Sequence, residues 1–393
     1  MTKANDEENW LTCPPVSELA QDMIARGVRR IHVLAWRDLD DPESGGSEIH
    51  ADHFMRRWQE AGLEILHRTS FARGRPSMDR RHGYQVIRKG SRLGVFPRTI
   101  AAEITHRMGP YDALVEIWNG MPWFSPVWCR RPRLVVLHHV HDKMWDQILP
   151  GPAAWLGRQL ETAWAPPVYR RSETVTLCED SRLDLLKLGW PASRVHVAPA
   201  GVDSYFSPGG AKTTHPSILA VGRLAPVKRM IDLLAQLEPV HREIPGMKLT
   251  IVGEGPQRPV LESWIDEHVA HDWIRLCGRV DNETLRTLYR ESWLITSASL
   301  AEGWGLTLTE AAGCGTPAVA TDIGGHRSAV RDGVTGSLVP LETLGERCGQ
   351  LLKDHPMRTN MADRALVWAQ SLSWDNLASR VLKPLHDEIV LGS

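Results

Sequence analysis

The sequence predicts an α/β protein of two doubly wound, Rossmann-like domains that face a central cleft. Three observations carry this expectation. The chain has 393 residues, long for one hydrophobic core and suited to two domains. Short apolar runs alternate with helical stretches, the signature of βαβ units and a parallel sheet. That alternation stops at residues 197–216, "VAPAGVDSYFSPGGAKTTHP", a Pro-, Gly-, Ser- and Thr-rich stretch that reads as a linker, and then restarts.

The elements follow in order. "RIHVLAW" at 30–36 is an apolar run bounded by charge and predicts the first strand. A polar loop, "RDLDDPESGGS", leads to a helix, "EIHADHFMRRWQEAG", which Gly62 stops. "LEILHRTS" predicts the next strand, and "YQVIRKGSRLGVFPRT" one or two short strands. "YDALVEIWNG" and "RLVVLHHVH" read as buried strands ending in polar residues. "SETVTLCED" is a further strand, followed by the helix "SRLDLLKLG". Beyond the linker, "SILAVGRL", "KLTIVGEG", "IRLCGRV", "WLITSAS", "TPAVATD" and "GSLVP" predict strands, with "KRMIDLLAQLEPV" and "QRPVLESWIDEHV" among the helices between them. A last helix, "WDNLASRVLKPLHDEIV", closes the sequence. Ligands of such sheets sit at the C-terminal ends of the strands.

Composition narrows the function. Lys plus Arg is 46 and Asp plus Glu is 47, so the overall charge gives no sign of a nucleic-acid partner. Residues 56–98 are rich in Arg, with Glu60, Glu64 and Asp79 against them. That segment suits an anionic surface or a phosphorylated substrate, and equally a solvated basic face. The six cysteines are scattered without a C-x-x-C, which argues against a disulfide scaffold or zinc ribbon and fits a reducing cytoplasm. The N-terminus is polar and acidic, unlike a signal peptide. No apolar run approaches the ~20 residues of a membrane span. Trp145, Trp155 and Trp164 lie in and beside "ILPGPAAWLGRQLETAWAPPVYRR", which suits either an interfacial membrane contact or ordinary packing.

Two stretches carry chemistry. In "VGRLAPVK", Arg223 and Lys228 directly follow a buried strand, so two cations stand at the C-terminal edge of the second sheet. A forked guanidinium and a point-charge ammonium together suit a diphosphate. In "EGWGLTLTE", 302–310, strand gives way to helix around Gly303 and Gly305. The backbone N–H groups near Gly305 would then begin a helix, a ready anion site. Glu302 on the loop and Glu310 on the helix can accept hydrogen bonds from sugar hydroxyls at two separate places.

These residues carry a resemblance. "EGWGLTLTE" resembles the Glu-x7-Glu element of the retaining GT-B glycosyltransferases of the fourth sequence family, the group 1 glycosyl transferases. "GGSEIH", "VLHHVH", "VAPAGVD", "VGRLAPVK" and "GCGTPAVATDIGGHRSAV" resemble further pieces of the same family, in the same order, from about residue 31 to 374. The resemblance implies a GT-B architecture. Residues 1–207 would bind the acceptor, 208–372 the nucleotide sugar, and the helix at 373–393 would pack back on the first domain. It implies a hexosyltransferase that moves a hexose from a UDP- or GDP-sugar to a hydroxyl of a glycan, glycolipid or phosphorylated acceptor, with retention and without metal or other cofactor. Arg223 and Lys228 would hold the donor diphosphate. Glu310 would take the ribose hydroxyls, and Glu302 hydroxyls of the donor sugar. Backbone around Gly303, Trp304, Gly305 and Leu306 would bind sugar or phosphate, and that near Val280 would border the base. Gly45 and Gly46 would let the first domain's backbone approach the diphosphate. His139 would sit beside the reacting centre, with His138 and His141 left as alternatives. The expected partners are a nucleotide sugar, a glycan or lipid-linked acceptor and an anionic membrane surface, at the cytoplasmic face.

Two signals point elsewhere. "DLD", Asp38 to Asp40, is an Asp-x-Asp of the kind that binds metal in another glycosyltransferase architecture, but it precedes a glycine loop in a doubly wound domain. "GCGTPA" matches G-x-G-x-x-A, yet has helix before it and strand after, the reverse of a dinucleotide fingerprint. The competing readings are a NAD-dependent oxidoreductase or epimerase, against which the missing fingerprint after the first strand argues, and a non-catalytic sugar-nucleotide-binding protein.

Overall fold

The computed structural model describes residues 13–148 and 151–392; the acidic N-terminal stretch at 1–12 lies outside them. The chain divides into two compact units, Met1–Ala200 with Trp374–Ser393, and Gly201–Ser373. The break falls at 200/201, inside the 197–216 stretch whose composition reads as a linker and a little ahead of the 207/208 boundary the resemblance implies. The Val202 N–H donates to the Leu372 carbonyl at 3.0 Å, so the start of the linker is already held by the second unit.

The first unit holds an eight-stranded sheet. Its strands are β1 (Arg30–Leu34), β2 (Glu64–Thr69), β3 (Met78–Arg81), β4 (Tyr84–Arg88), β5 (Ala113–Trp118), β6 (Arg133–Leu137), β7 (Glu173–Thr176) and β8 (Val195–Val197), in the order β3-β4-β2-β1-β5-β6-β7-β8. All neighbours are parallel except β3 and β4. Every residue of β5 is buried, as expected of a parallel strand covered on both faces. The strand order reverses between β1 and β5, which makes their C-terminal ends the switch point where ligands of such sheets bind. The helix Gly46–Glu60 begins on the loop after β1.

The closing helix, Trp374–Gly392, belongs to this first unit. Trp374 stacks on His53 at 3.8 Å, the Trp58 indole donates to the Ala378 carbonyl at 3.0 Å, and His386 bonds Asp22 at 2.8 Å. Two local readings differ from expectation. "VFPRT" opens the helix Val95–Ile104 rather than a strand, because Pro97 falls in the first turn, where its missing N–H costs nothing. The strand β3, "MDRR", is exposed at the sheet edge and shows no apolar alternation, so its pairing comes from β4 alone.

The second unit holds six parallel strands: β9 (Ser217–Val221), β10 (Lys248–Val252), β11 (Ile274–Gly278), β12 (Leu294–Ser297), β13 (Ala318–Thr321) and β14 (Gly336–Val339). Their order is β11-β10-β9-β12-β13-β14. Leu233, Leu234 and Leu237 of the helix Met230–Glu243 pack with Leu249, Ile251 and Leu294 of the sheet in one apolar core. Here the order reverses between β9 and β12, so the loops after these two strands meet at the switch point.

Candidate active site

Those two loops carry the residues singled out in the sequence. After β9, the Gly222 N–H donates to the Val252 carbonyl and the Leu224 N–H to the Glu254 carbonyl, both at 2.9 Å, which lays the loop along the end of β10. A Cβ at Gly253, whose φ is +145°, would overlap the Gly222 carbonyl oxygen, so only glycine allows this approach. Arg223 points outward from the loop and is exposed. The turn Pro226–Lys228 ends in Arg229 at a left-handed φ of +50°, from which the helix Met230–Glu243 starts.

The loop after β12 is tied to this one by a hydrogen bond from the Leu300 N–H to the Val227 carbonyl at 2.8 Å. Lys228 Nζ then makes an ion pair with Glu302 Oε1, and Ser299 Oγ donates to the same oxygen at 2.9 Å. Burial pushes the Glu302 carboxyl up, but the Lys228 ammonium and these hydrogen bonds outweigh it and hold the group below the ordinary carboxylate value. Glu302 is therefore charged. A Cβ at Gly325 would overlap the Glu302 carbonyl oxygen, so the helix Gly324–Ala329 can lie against this loop only through a glycine. In that helix His326 is buried and its Nδ1–H donates to the Thr321 carbonyl at 2.8 Å, leaving Nε2 as an acceptor. Burial keeps this imidazole neutral.

Gly303 and Gly305 bend the chain between Glu302 and the next helix. Gly305 sits at φ +114° and precedes the helix Leu306–Gly313, and the Trp304 side chain is buried beneath the bend. The Leu306 and Thr307 N–H groups open that helix without an intrahelical acceptor. One turn on, Glu310 accepts from the Tyr289 hydroxyl at 2.8 Å. Burial raises the Glu310 carboxyl to about 7, against the lowering hydrogen bond from Tyr289. The two acids of "EGWGLTLTE" thus differ in kind: Glu302 is ion-paired and charged, while Glu310 is poised to hold or release a proton near neutrality. Val280 is half-buried just beyond β11, and its strand end is linked to β10 by the Gly253 N–H on the Gly278 carbonyl at 2.8 Å.

The first unit presents its own candidates at its own switch point. Gly45 has no side chain to cap the helix Gly46–Glu60. Instead the Glu48 carboxylate turns back to accept the Gly45 N–H at 2.8 Å. Asn119, just after β5, donates to Ser47 Oγ at 3.2 Å, so both strand ends converge at this helix start. After β6 come the three histidines. His138 is buried edge-on against His50, with centroids 5.0 Å apart. His141 is also buried, stacked at 4.5 Å on His139, which is itself only half-buried.

That loop has an anchor the sequence did not reveal. Glu161 Oε2 accepts the His141 N–H at 2.9 Å, the Asp142 N–H at 3.0 Å and the Trp145 indole N–H at 3.0 Å. Glu161 sits in a π-helical turn, Leu160–Trp164, inserted between the α-helices Gly151–Gln159 and Ala165–Tyr169. Such insertions are frequent at functional sites. Tyr289, Ser299, Gly253 and Gly325 also escaped sequence reading. Of these, only the glycines left a trace, in "VGEGP" and "DIGGH".

The misleading signals resolve into structure. Asp38 and Asp40 are both engaged by Arg81, at 2.9 and 2.8 Å, and by Arg88, at 3.3 and 2.9 Å. Arg92 pairs with Asp41 and Glu43, and Arg57 with Asp375. Much of the basic segment at 56–98 is thereby neutralised by this unit's own acids. "GCGTPA" joins the helix Leu306–Gly313 to β13, helix first.

Comparison with known proteins agrees on one family. The profile described as "Glycosyl transferases group 1" matches residues 202–368, and that described as "Glycosyltransferase Family 4" matches 44–205. A D-inositol 3-phosphate glycosyltransferase from Xylanimonas cellulosilytica is 31% identical over 411 residues, covering 88% of this chain and 93% of that protein. The enzyme of the same name from Mycobacterium tuberculosis is 30% identical over 319 residues, 72% of this chain and 63% of the other, and that from Nocardia farcinica is matched over half its length. Among solved structures, sucrose-phosphate synthase from Thermosynechococcus elongatus superposes with a TM-score of 0.76 at 19% identity, covering 93% of this chain and all of the other. The Anabaena HepE protein in complex with UDP-glucose gives 0.72 at 17%, covering 91% and 99%. These structural likenesses establish the GT-B fold.

Proposed function

The chain belongs to the group 1 glycosyltransferases, and from that premise we propose that it moves a hexose from a UDP- or GDP-sugar to a hydroxyl of a phosphorylated or glycan acceptor, with retention and without metal. It is a transferase enzyme. The observation that carries the finer reading is the Lys228–Glu302 ion pair at the β9/β12 switch point, beside the open N-terminus of the helix Leu306–Gly313. The solved relative with UDP-glucose and the inositol-phosphate relatives support the choice of donor and acceptor classes.

The chemistry follows from where charge develops. As the anomeric C–O bond breaks, the leaving diphosphate gains negative charge and the anomeric carbon positive character. Arg223 and Lys228 stabilise the diphosphate, with the N–H groups of Trp304, Gly305 and Leu306, on the turn into the helix Leu306–Gly313, beside them. Glu302 holds hydroxyls of the donor sugar, and its pairing with Lys228 fixes both groups before the donor arrives. Glu310 accepts the ribose hydroxyls, and backbone near Val280 borders the base. To Gly45 and Gly46, which lack side chains at the start of the helix Gly46–Glu60, we assign backbone contact with the diphosphate. To His139, on the loop that Glu161 anchors, we assign the role of contacting the donor sugar. The acceptor hydroxyl enters on the face the phosphate leaves and gives its proton to a phosphate oxygen, so no covalent nucleophile is needed.

The test is a transfer screen across UDP- and GDP-sugars with inositol phosphates and sugar phosphates as acceptors, with chelator present. Turnover with one pair supports the reading. Binding of nucleotide without turnover of any donor would turn it toward a non-catalytic binding protein. Glu302→Ala should mainly lower turnover and Glu310→Ala mainly weaken nucleotide binding; loss of turnover alone in both would contradict the division of roles.

A further inference from the structure

The helical stretch from Gly151 to Tyr169 is inverted relative to an ordinary surface helix. Its buried positions are Ala154, Gly157, Glu161, Ala165, Pro166 and Tyr169; all but Pro166 recur at intervals of three and four, and together they face the unit's interior. The opposite face carries Trp155, Leu156, Leu160, Trp164 and Pro167. Trp155 is 57% exposed, Leu156 43% and Trp164 52%. The two charged residues of this stretch are both engaged away from that face, Glu161 by the histidine loop and Arg158 by Asp142 and Asp146. A surface helix normally turns its charges outward. This one turns tryptophan and leucine outward instead, and a contiguous exposed apolar surface marks an interaction site.

Charge at the edge of this face says which partner fits. Arg170 and Arg171 follow the helix directly and are exposed. The short helix Ser125–Trp128 packs against Ala165–Tyr169, shows Val127 at 63% exposure, and is followed by exposed Arg130 and Arg131. These four arginines make no ion pair among the described residues. Apolar side chains with two tryptophans, bordered by unpaired arginines, match the interface of an anionic bilayer. The rings enter the headgroup–acyl boundary and the guanidinium groups meet the lipid phosphates.

We infer that the outer face of residues 151–169, with Arg170 and Arg171 at its end, docks this protein on an anionic lipid surface. The partner is a bilayer rather than the basic segment's expected surface at 56–98, whose arginines are largely paired internally. The inference is independent of the sugar-transfer reading, since it uses none of the residues assigned to the donor. It has one functional consequence: the docking helix and the anchor of the histidine loop are the same element, with Glu161 on its inner side.

Co-sedimentation of the full chain with vesicles tests this, using phosphatidylcholine alone and phosphatidylcholine mixed with phosphatidylglycerol, at low and high salt. The wild type is expected to pellet with the anionic vesicles and much less with the neutral ones. Trp155→Ser with Trp164→Ser should lower the bound fraction about tenfold at either salt concentration, because the apolar anchor is gone. Arg170→Glu with Arg171→Glu should lower it chiefly at low salt, where unscreened charge matters. Unfolding midpoints check that the variants fold, and Trp164→Ser alone is read if the double variant does not. Absence of wild-type binding at low salt overturns the inference, as does undiminished binding by the tryptophan variants. A wild-type dimer in sedimentation velocity that the serine variants disperse, without vesicle binding, assigns the face to a second copy of the chain and also overturns it.

Discussion

Replacing Glu310 by Gln separates the two acids of the site most cleanly. Glu310 is raised from an ordinary 4.5 to about 7 by burial. Between those values the unfolded chain releases the proton that the folded protein keeps. The carboxyl's contribution to stability is therefore complete below 4.5 and is lost as pH rises through about 7. A shift of that size corresponds to about 3 kcal/mol if fully realised, and a half-buried side chain should show roughly half of it. Glu310→Gln keeps the shape and an acceptor for Tyr289 but removes the ionisation. At about pH 8 it should be more stable than wild type by about 1–2 kcal/mol, and at about pH 5 nearly equal. Nucleotide binding should change in the opposite sense. The ionised carboxylate accepts ribose hydroxyls, so wild-type affinity for UDP or GDP should strengthen as pH rises through about 7, by up to about tenfold per pH unit below it. In the variant that dependence should vanish and binding at about pH 8 should fall about tenfold to a hundredfold, the loss of charge-assisted hydrogen bonds. Calorimetric titration and thermal unfolding across pH read both. Equal nucleotide affinity in the two proteins at high pH would refute the assignment of Glu310 to the ribose.

Three further perturbations test the supporting structure. Lys228→Met leaves the Glu302 carboxylate without its cation, so turnover should fall about a hundredfold or more, with a smaller change in nucleotide affinity, read by steady-state kinetics. Gly253→Ala would drive a methyl into the Gly222 carbonyl at a φ of +145°, so the second unit should lose about 2 kcal/mol or more, measured by denaturant unfolding. Glu161→Ala removes the acceptor for three N–H groups of the histidine loop. Turnover should fall about tenfold while the KM for donor stays within about twofold, whereas Glu161→Gln, which keeps an acceptor oxygen, should retain more activity.

How much was legible depended on what each residue's signal was. Strands such as "ILAVG" and "LVVL" are continuous apolar runs, "ALVEIW" is broken only by the buried Glu116, and their alternation with helices specified both sheets. The positions of Arg223, Lys228, Glu302 and Glu310 relative to strand ends followed from that alternation alone. The edge strand "MDRR" left no trace, because an exposed strand needs no apolar face. Gly253 and Gly325 were visible only as letters of "VGEGP" and "DIGGH". Their role depends on backbone from elsewhere approaching within contact, which one segment cannot report. The ion pairing of Asp38 and Asp40 was not legible, because their arginine partners lie in residues 75–88, distant in sequence. The outward apolar face at 151–169 was visible as composition but not as direction, since the π turn and the anchoring of Glu161 decide which side meets water.

Donor-phosphate stabilisation by protein cations with front-face attack can be read most directly from proton NMR of the product formed from an α-linked UDP- or GDP-hexose in the presence of chelator. Full activity under chelation and an α-linked product are expected. A β-linked product, or activity that returns only on adding manganese, would contradict it.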